Sequence, residues 1–139
     1  GNWLNALEEL NADSEKKLFL DMFISLMRLA YMRNIKELRK WSETAAAYGR
    51  ERQKRMLTYF MRLVRENFVY NFHIGELNYM TQDEENFARN FARFVNEANV
   101  IELSELMNRA IRDIGQNANP KIVFFDMATH IIVSLIRKP

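Results

Sequence analysis

The chain of 139 residues lacks cysteine and contains only four glycines and two prolines. Without cysteine it can form neither disulfides nor thiolate metal sites, and this composition is compatible with a reducing cytoplasm. Because glycine and proline are scarce, long stretches carry no residue that breaks a helix. No segment alternates apolar and polar residues as a half-buried strand does. These absences predict an all-α protein.

Recognisable catalytic motifs are also missing. The glycines lie too far apart to form a phosphate-binding loop, in which backbone amides must approach an anion closely. The two histidines, His73 and His130, belong to no metal-binding motif, and no nucleophile with an adjacent base can be assigned. The acidic run at residues 83–85 is interpreted as the complement of a positive helix N-terminus rather than as a cation site. The sequence therefore predicts no catalytic residue, no cofactor and no metal site, and hence no enzyme.

Long apolar runs and a large excess of one charge are absent as well. The longest apolar stretch, residues 122–136, contains Asp126 and His130 and falls short of the about twenty apolar residues that span a bilayer. The first residues lack the basic and apolar regions of a signal peptide. The net charge of +2 does not require a nucleic-acid partner. With 48% hydrophobic and 27% charged residues the composition is globular, and we expect a cytoplasmic fragment of a longer protein.

Apolar residues at helical spacing predict a single compact bundle of about five to six helices. Residues 2–11 are expected to form a short helix or the tail of one. Asp13 or Ser14 is suited to cap the next helix, which is expected to run to about Arg33.

Two helices are predicted in the centre of the chain. Asn34 is expected to cap a helix over residues 35–48, which would end at Gly49 in a left-handed conformation that favours glycine. A longer helix over about residues 50–71 places its apolar residues on one face, namely Met56, Leu57, Phe60, Leu63, Val64 and Phe68.

The second half of the chain carries two patterns typical of a capping box. Residues 73–80 are predicted to form a loop, in which His73 lies near a helix end. Thr81 followed by Glu84 predicts the start of a helix that carries Phe87, Phe91 and Phe94. Asn99 followed by Glu102 suggests a second box, which would open the next helix.

The last predicted helix is apolar on nearly every side. Asn119 as the cap and Pro120 as the first helical residue begin it, and it is expected to run to Arg137. Such a helix is expected either in the centre of a bundle or at an interface with a partner. His130, which has apolar neighbours, is predicted to be a hydrogen-bonded core or interface histidine.

Two tryptophans and a basic run are the residues considered for a partner interface. Trp3 and Trp41 are candidate interface anchors, although Trp41 also shares the apolar register of its helix with core positions. The basic run is Arg50, Arg52, Lys54 and Arg55, with Arg62 and Arg65 beyond it. This run would suit either a phosphate backbone or, as we favour, a solvated helix face with internal ion pairs. The candidate partner interface is therefore Trp41, Arg50, Arg52, Lys54 and Arg55.

Charge is distributed unevenly along the chain. Residues 28–65 contain eleven Lys and Arg against three Glu, whereas residues 76–105 contain seven Asp and Glu against two Arg. A molecule with a basic side and an acidic side is able to stack head to tail with its neighbours.

Three stretches together resemble the carboxy-terminal collar domain of bacterial clamp-loader subunits, of the DNA polymerase III delta prime type. Residues 1–10, Gly-Asn-Trp-Leu-Asn-Ala-Leu-Glu-Glu-Leu, are similar to the lid pattern Gly-Ser-x-Arg-x-Ala-Leu-x-x-Leu. Residues 41–57 resemble the central collar helices, with a tryptophan helix, a glycine break and a basic helix start. Residues 111–127 resemble the closing pair of helices, with an asparagine-rich break between them.

One departure from the family pattern favours the delta prime type. The arginine of the lid pattern senses bound nucleotide, and its place is taken here by Leu4. Delta prime is the member of the family that lacks this arginine and does not hydrolyse ATP. The segment from His73 to Phe94 matches no general collar pattern.

The resemblance implies a division of the chain and a set of partners. Residues 1–12 would be a stub of the lid subdomain, and residues 13–139 the helical collar domain. Collar domains of five subunits form a ring that supports the loading of a sliding clamp in DNA replication. The implied partners are the motor and delta subunits, with DNA contacted only through the assembled complex and with no membrane or small-molecule substrate.

A hypothesis from a different class is a standalone helical module that binds nucleic acid through the basic face of residues 50–65. Such a module would bind DNA with a strong dependence on salt, because Lys and Arg displace counterions from phosphates. A collar domain would instead bind other clamp-loader subunits and have little affinity for DNA on its own.

Overall fold

The computed structural model describes the backbone of residues 2–139 and the side chains of residues 11–139. The described backbone contains no β-strand, and the prediction of a compact all-α bundle is confirmed. Short 3₁₀ turns follow α3 and α4, at Gly75–Leu77 and Ala92–Phe94. The six helices are α1 (Asn2–Tyr31), α2 (Ile35–Ala46), α3 (Arg50–Tyr70), α4 (Gln82–Phe91), α5 (Val100–Gly115) and α6 (Pro120–Ile136).

The first helix is longer than the sequence predicts. α1 continues through Asp13 and Ser14, so the predicted helix start at these residues is wrong. A capping side chain starts a helix only where the capping residue itself leaves the helical conformation. The residues on both sides are mainly Ala, Leu, Glu and Lys, which favour helix. Asp13 and Ser14 therefore lie in the middle of α1, where their side chains are exposed to solvent.

The turn between α2 and α3 also differs from its prediction. Gly49 has φ 86° and ψ 153°, which is not the left-handed helical conformation, and it precedes α3 as its N-cap instead of ending α2. The α2 carbonyls find another partner, because the Gln53 side-chain amide donates to the carbonyls of Ala45 (3.1 Å) and Ala46 (3.0 Å). A side chain of the following helix therefore closes α2, and glycine is needed at residue 49 for its positive φ.

Of the remaining predicted side-chain caps, three form and one does not. Asn34 accepts a hydrogen bond from the Glu37 amide, Asn119 caps α6, and the Thr81–Glu84 capping box is complete. Asn99 precedes α5 but makes no side-chain cap, so the second predicted box is wrong. Its buried amide group donates to the carbonyls of Phe94 (2.7 Å) and Ser134 (3.0 Å) and thereby ties the second 3₁₀ turn to α6.

The core forms where two helix pairs meet. α3 packs along α5, α2 packs along α6, and α1 lies against α2 and α6. Phe23, Phe60 and Phe124 are fully buried in the centre. Trp41 joins them, because its ring lies 5.8 Å from that of Phe124 and its Nε1 donates to the Met22 carbonyl at 3.0 Å. The short helix α4 contacts α3, and its Phe87 and Phe91 rings pack against Phe23 at 6.1 and 5.8 Å.

Candidate protein interaction surfaces

The basic run lies on the outer face of α3 and is largely engaged in ion pairs. Arg55 donates twice to the Glu15 carboxylate of α1, at 2.7 and 3.0 Å, and Arg52 lies 3.4 Å from the same group. Lys54 pairs with Glu51 at 3.0 Å. The hydrogen bond from Arg55, together with the charges of Arg55 and Arg52, holds the pKa of Glu15 below its usual value despite partial burial. The geometry agrees with a solvated helix face that carries internal ion pairs.

Trp41 does not reach the surface of this domain. Only 5% of the residue is exposed, so the core interpretation applies and the side chain is not accessible as an anchor for a partner. Trp3 and Leu4 lie outside the described side chains. Of the candidate interface residues, the four basic ones remain accessible, and their contact with a partner stays a prediction.

The last helix has two apolar faces, and only one of them is buried. The buried face packs on α2, α5 and α1 and consists of Phe124, Met127, Ala128, Ile131, Ser134 and Leu135. On the opposite side Ile122 and Val133 are exposed by 66% and 52%. Of the two predicted locations, the centre of the bundle is therefore excluded for α6 as a whole.

We call the exposed side of α6 the α6 stripe, formed by Ile122, Phe125, Thr129 and Val133. These residues follow one another at intervals of three or four, so they share one side of the helix over about 16 Å. The guanidinium of Arg39 covers the half-buried Phe125 ring at 5.3 Å. Phe125 and the polar Thr129 are half-buried, so the strongly exposed apolar residues of the stripe are Ile122 and Val133. Isolated apolar side chains in water are ordinary, but two on one side of a helix with a half-buried phenylalanine between them are suited to a binding surface.

His130 lies beside the stripe and is exposed, so the core alternative of its prediction is excluded, whereas a place at an interface with a partner stays a prediction. Its Nδ1 atom is 2.8 Å from the Asp126 carbonyl and 3.6 Å from the Asp126 carboxylate. The helix turns this side chain away from the core, because the buried positions are taken by Met127 and Ile131 on the other side. His73 lies in the loop after α3, as predicted, with φ 57°.

The loop between α3 and α4 forms a second apolar surface that the sequence did not reveal. It exposes four large apolar side chains, namely Phe72, Ile74, Leu77 and Tyr79. The loop is held in place where the buried Glu66 carboxylate accepts a hydrogen bond from the Tyr79 amide at 2.9 Å. Because these residues have no helical spacing, periodicity gives no signal for their exposure.

The basic segment of residues 28–65 and the acidic segment of residues 76–105 contact each other at a buried carboxylate. Glu84 of α4 accepts hydrogen bonds from the Tyr59 hydroxyl (2.6 Å) and from Arg62 of α3. Burial favours a raised pKa for Glu84, but the hydrogen bonds from Tyr59, the Thr81 amide and Arg62 outweigh it and hold that pKa below its usual value. Burial and the hydrogen bond to Glu84 raise the pKa of Tyr59 strongly. This acidic residue thus serves the packing of α4 on α3.

Within the described residues, no three His, Asp or Glu side chains come together as a metal site. Over the same part of the chain, none of the helices combines the length and apolar character needed to cross a membrane.

The chain matches no known protein-family model, no curated protein and no solved structure at a significant level.

Proposed function

We propose that this chain is a protein–protein assembly module that binds a neighbouring subunit through the α6 stripe. The observation that carries the proposal is the pair of apolar faces on α6. One face completes the core, whereas the other leaves Ile122 and Val133 in water. Removing such a row of apolar side chains from water is the usual driving force of subunit association.

The resemblance in residues 1–10, 41–57 and 111–127 gives this module a specific place. We propose that residues 13–139 act as the collar domain of a clamp-loader subunit of the delta prime type. In that role the domain contributes to a ring with the motor and delta subunits, and the ring supports the loading of a sliding clamp during DNA replication. The rigid helical bundle and the exposed helix face support this proposal, because a ring member needs surfaces left over after its own core is built.

The same proposal assigns no catalytic role to the chain. Among the described residues, the two buried carboxylates, Glu66 and Glu84, both accept hydrogen bonds from neighbouring parts of the bundle, which supports an architectural role for these groups. The collar would act by holding its neighbours in register, and any nucleotide chemistry would belong to other parts of the complex.

A nucleic-acid-binding module remains the second candidate, because Arg50 and Arg65 stay exposed on the basic face of α3. The ion pairs of Arg52, Lys54 and Arg55 reduce the positive charge available there. A strong phosphate-binding face needs several unpaired cations that release counterions together. The assembly proposal is therefore the better supported of the two.

Size-exclusion chromatography with light scattering tests the proposal on the wild-type domain, alone and mixed with the motor subunit from the same organism. A stable complex of the two proteins is the expected result. In parallel, a fluorescein-labelled duplex DNA is titrated with the domain at low and at physiological salt. Tight, salt-sensitive DNA binding without complex formation would reject the assembly proposal and favour the nucleic-acid module.

A further inference from the structure

An open groove lies on the side of the bundle formed by the end of α1, α4 with its following 3₁₀ turn, and the end of α6. It consists of two cavities of about 420 and 430 Å³. Tyr31, Phe94 and Leu135 line both cavities, which are therefore adjacent parts of one groove. Each volume falls in the range of about 300–1,000 Å³ that is typical of binding sites.

The floor of the groove is apolar and its edges expose large side chains. Met27, Phe87, Phe91, Phe94 and Leu135 line the floor. The rings of Tyr31 and Phe94 lie 5.1 Å apart and divide the two cavities. Met32 and Ile136 at the edges are exposed by 61% and 52%, and Tyr31 in the ridge between the cavities is exposed by 64%. A concave apolar surface with several such residues is suited to bind apolar side chains of a partner.

The rim of the groove is basic. Five cations line the two cavities, and no Asp or Glu side chain of the described residues is among the lining groups of either one. Arg137 is paired with Glu102 at 2.8 Å, and Arg93 lies over the Phe94 ring at 5.1 Å. The other three show no ion pair with a described side chain. The rim cations are Arg28, Arg33, Arg93, Arg137 and Lys138.

We propose that this groove binds an acidic amphipathic peptide segment of another protein. Apolar side chains of the segment fill the two cavities on either side of Tyr31 and Phe94, and its carboxylates face the basic rim. The inference goes beyond the assembly proposal, because the groove shares no residue with the α6 stripe. The chain thus has a second surface for a partner of opposite charge.

The shape and lining of the groove favour a peptide over other anionic partners. A lipid surface is flat, whereas this site is concave and continues past a central ridge. A phosphate backbone would match the cations but would leave the exposed aliphatic side chains of Met32 and Ile136 in water, whereas apolar side chains of a peptide would cover them. Methionine instead adapts its shape to varied peptide side chains.

Fluorescence anisotropy with designed peptides tests the proposal on the whole chain. The probe is a fluorescein-labelled peptide that, as a helix, presents Leu and Phe on one face and Asp and Glu on the other. One matched control replaces every acidic residue by Lys, and a second replaces Leu and Phe by Ser. We expect saturable binding of the acidic amphipathic peptide and binding at least about tenfold weaker for each control.

Paired variants of the chain locate the binding site. Arg28→Glu with Arg93→Glu is expected to weaken binding of the acidic peptide about tenfold and to strengthen binding of the Lys peptide. The matched control Arg65→Glu with Arg112→Glu makes the same charge change at exposed positions outside the groove and is expected to retain the affinity.

A second pair tests the apolar contribution. Tyr31→Ala removes the ridge side chain and is expected to weaken binding at least about fivefold, since a buried aromatic contact is lost. Tyr79→Ala removes a tyrosine of similar exposure from the distant loop and is expected to have no effect. Circular dichroism confirms that each variant retains its helices.

Four results would overturn the proposal. The first is no saturable binding of the acidic amphipathic peptide, and the second is equal binding of the Lys peptide. The third is binding that survives both groove variants. The fourth is binding that occurs only with single-stranded DNA or anionic lipid vesicles offered in place of the peptide. None of these measurements involves a clamp-loader subunit, so a negative result here is distinguishable from failure of the assembly proposal.

Discussion

Replacing Glu84 by alanine removes the acceptor that joins α4 to α3. In the native protein its Oε2 atom accepts hydrogen bonds from the Tyr59 hydroxyl at 2.6 Å and from Arg62 at 2.5 Å. Its Oε1 atom accepts from the Thr81 backbone amide at 2.8 Å and completes the capping box. Only 3% of the residue is exposed, so water does not replace these contacts easily.

The expected cost in free energy of unfolding follows from these contacts. Hydrogen bonds to a charged group contribute about 1.5–3 kcal/mol, and loss of a cap costs about 0.5–2 kcal/mol. The half-buried Tyr59 hydroxyl also loses its partner. Because the contributions overlap, we expect Glu84→Ala to destabilise the fold by about 3 kcal/mol and to lower Tm by roughly 10 °C.

Urea denaturation followed by circular dichroism measures this cost, and a double-mutant cycle with Tyr59→Phe isolates one contact. We expect a coupling energy of about 1–2 kcal/mol between the two residues. Asp83→Ala is the matched control, since this exposed acid in the same helical turn should contribute less than about 1 kcal/mol through the helix dipole. A Glu84→Ala cost no larger than that of Asp83→Ala, or a coupling energy near zero, would refute the reasoning.

Two further predictions concern pH and the glycines. Because the folded pKa of Glu84 is below its unfolded value, its stabilisation is present above about pH 4.3 and is lost as pH falls through the folded pKa. Glu84→Gln is therefore expected to lose less stability than the wild type between about pH 5 and pH 3, as urea midpoints will show. Gly49→Ala should cost about 1–3 kcal/mol, because φ is 86° there, whereas Gly115→Ala, in the last turn of α5 with open space for a Cβ, should gain about 0.5–1 kcal/mol. Thermal denaturation of the two alanine variants decides whether their effects have opposite signs.

The sequence predicts those parts of the fold that depend on neighbours along the chain. Asn34, Thr81 and Asn119 cap helices because each side-chain oxygen reaches an amide two or three residues ahead. Asn99 carries the same kind of signal, but its side chain binds a carbonyl of α6, thirty-five residues away. A pattern of neighbouring residues gives no information on whether a side chain caps its own helix or binds a carbonyl far away in the sequence.

The sequence also predicts only part of the candidate interaction surfaces. Periodicity identifies α6 as apolar on nearly every side, but it gives no indication of which side the core takes. The answer depends on how α6 packs against α2 and α5, and only the structure places Ile122 and Val133 on the outside. Tyr31 and Phe94 form the ridge of the groove although they lie on different elements, so no local motif indicates them.

The measurement that tests the central claim most directly is assembly of stripe variants with the motor subunit, followed by light scattering. Ile122→Glu with Val133→Glu places two charges on the α6 stripe, and burying them should weaken the complex by about 2 kcal/mol or more, roughly thirtyfold. Ile101→Glu is the matched control, because Ile101 is 68% exposed on α5 and lies outside the stripe. We predict that the control retains the complex and the stripe variant loses it; a stripe variant that is folded and assembles as tightly as the wild type would contradict the account.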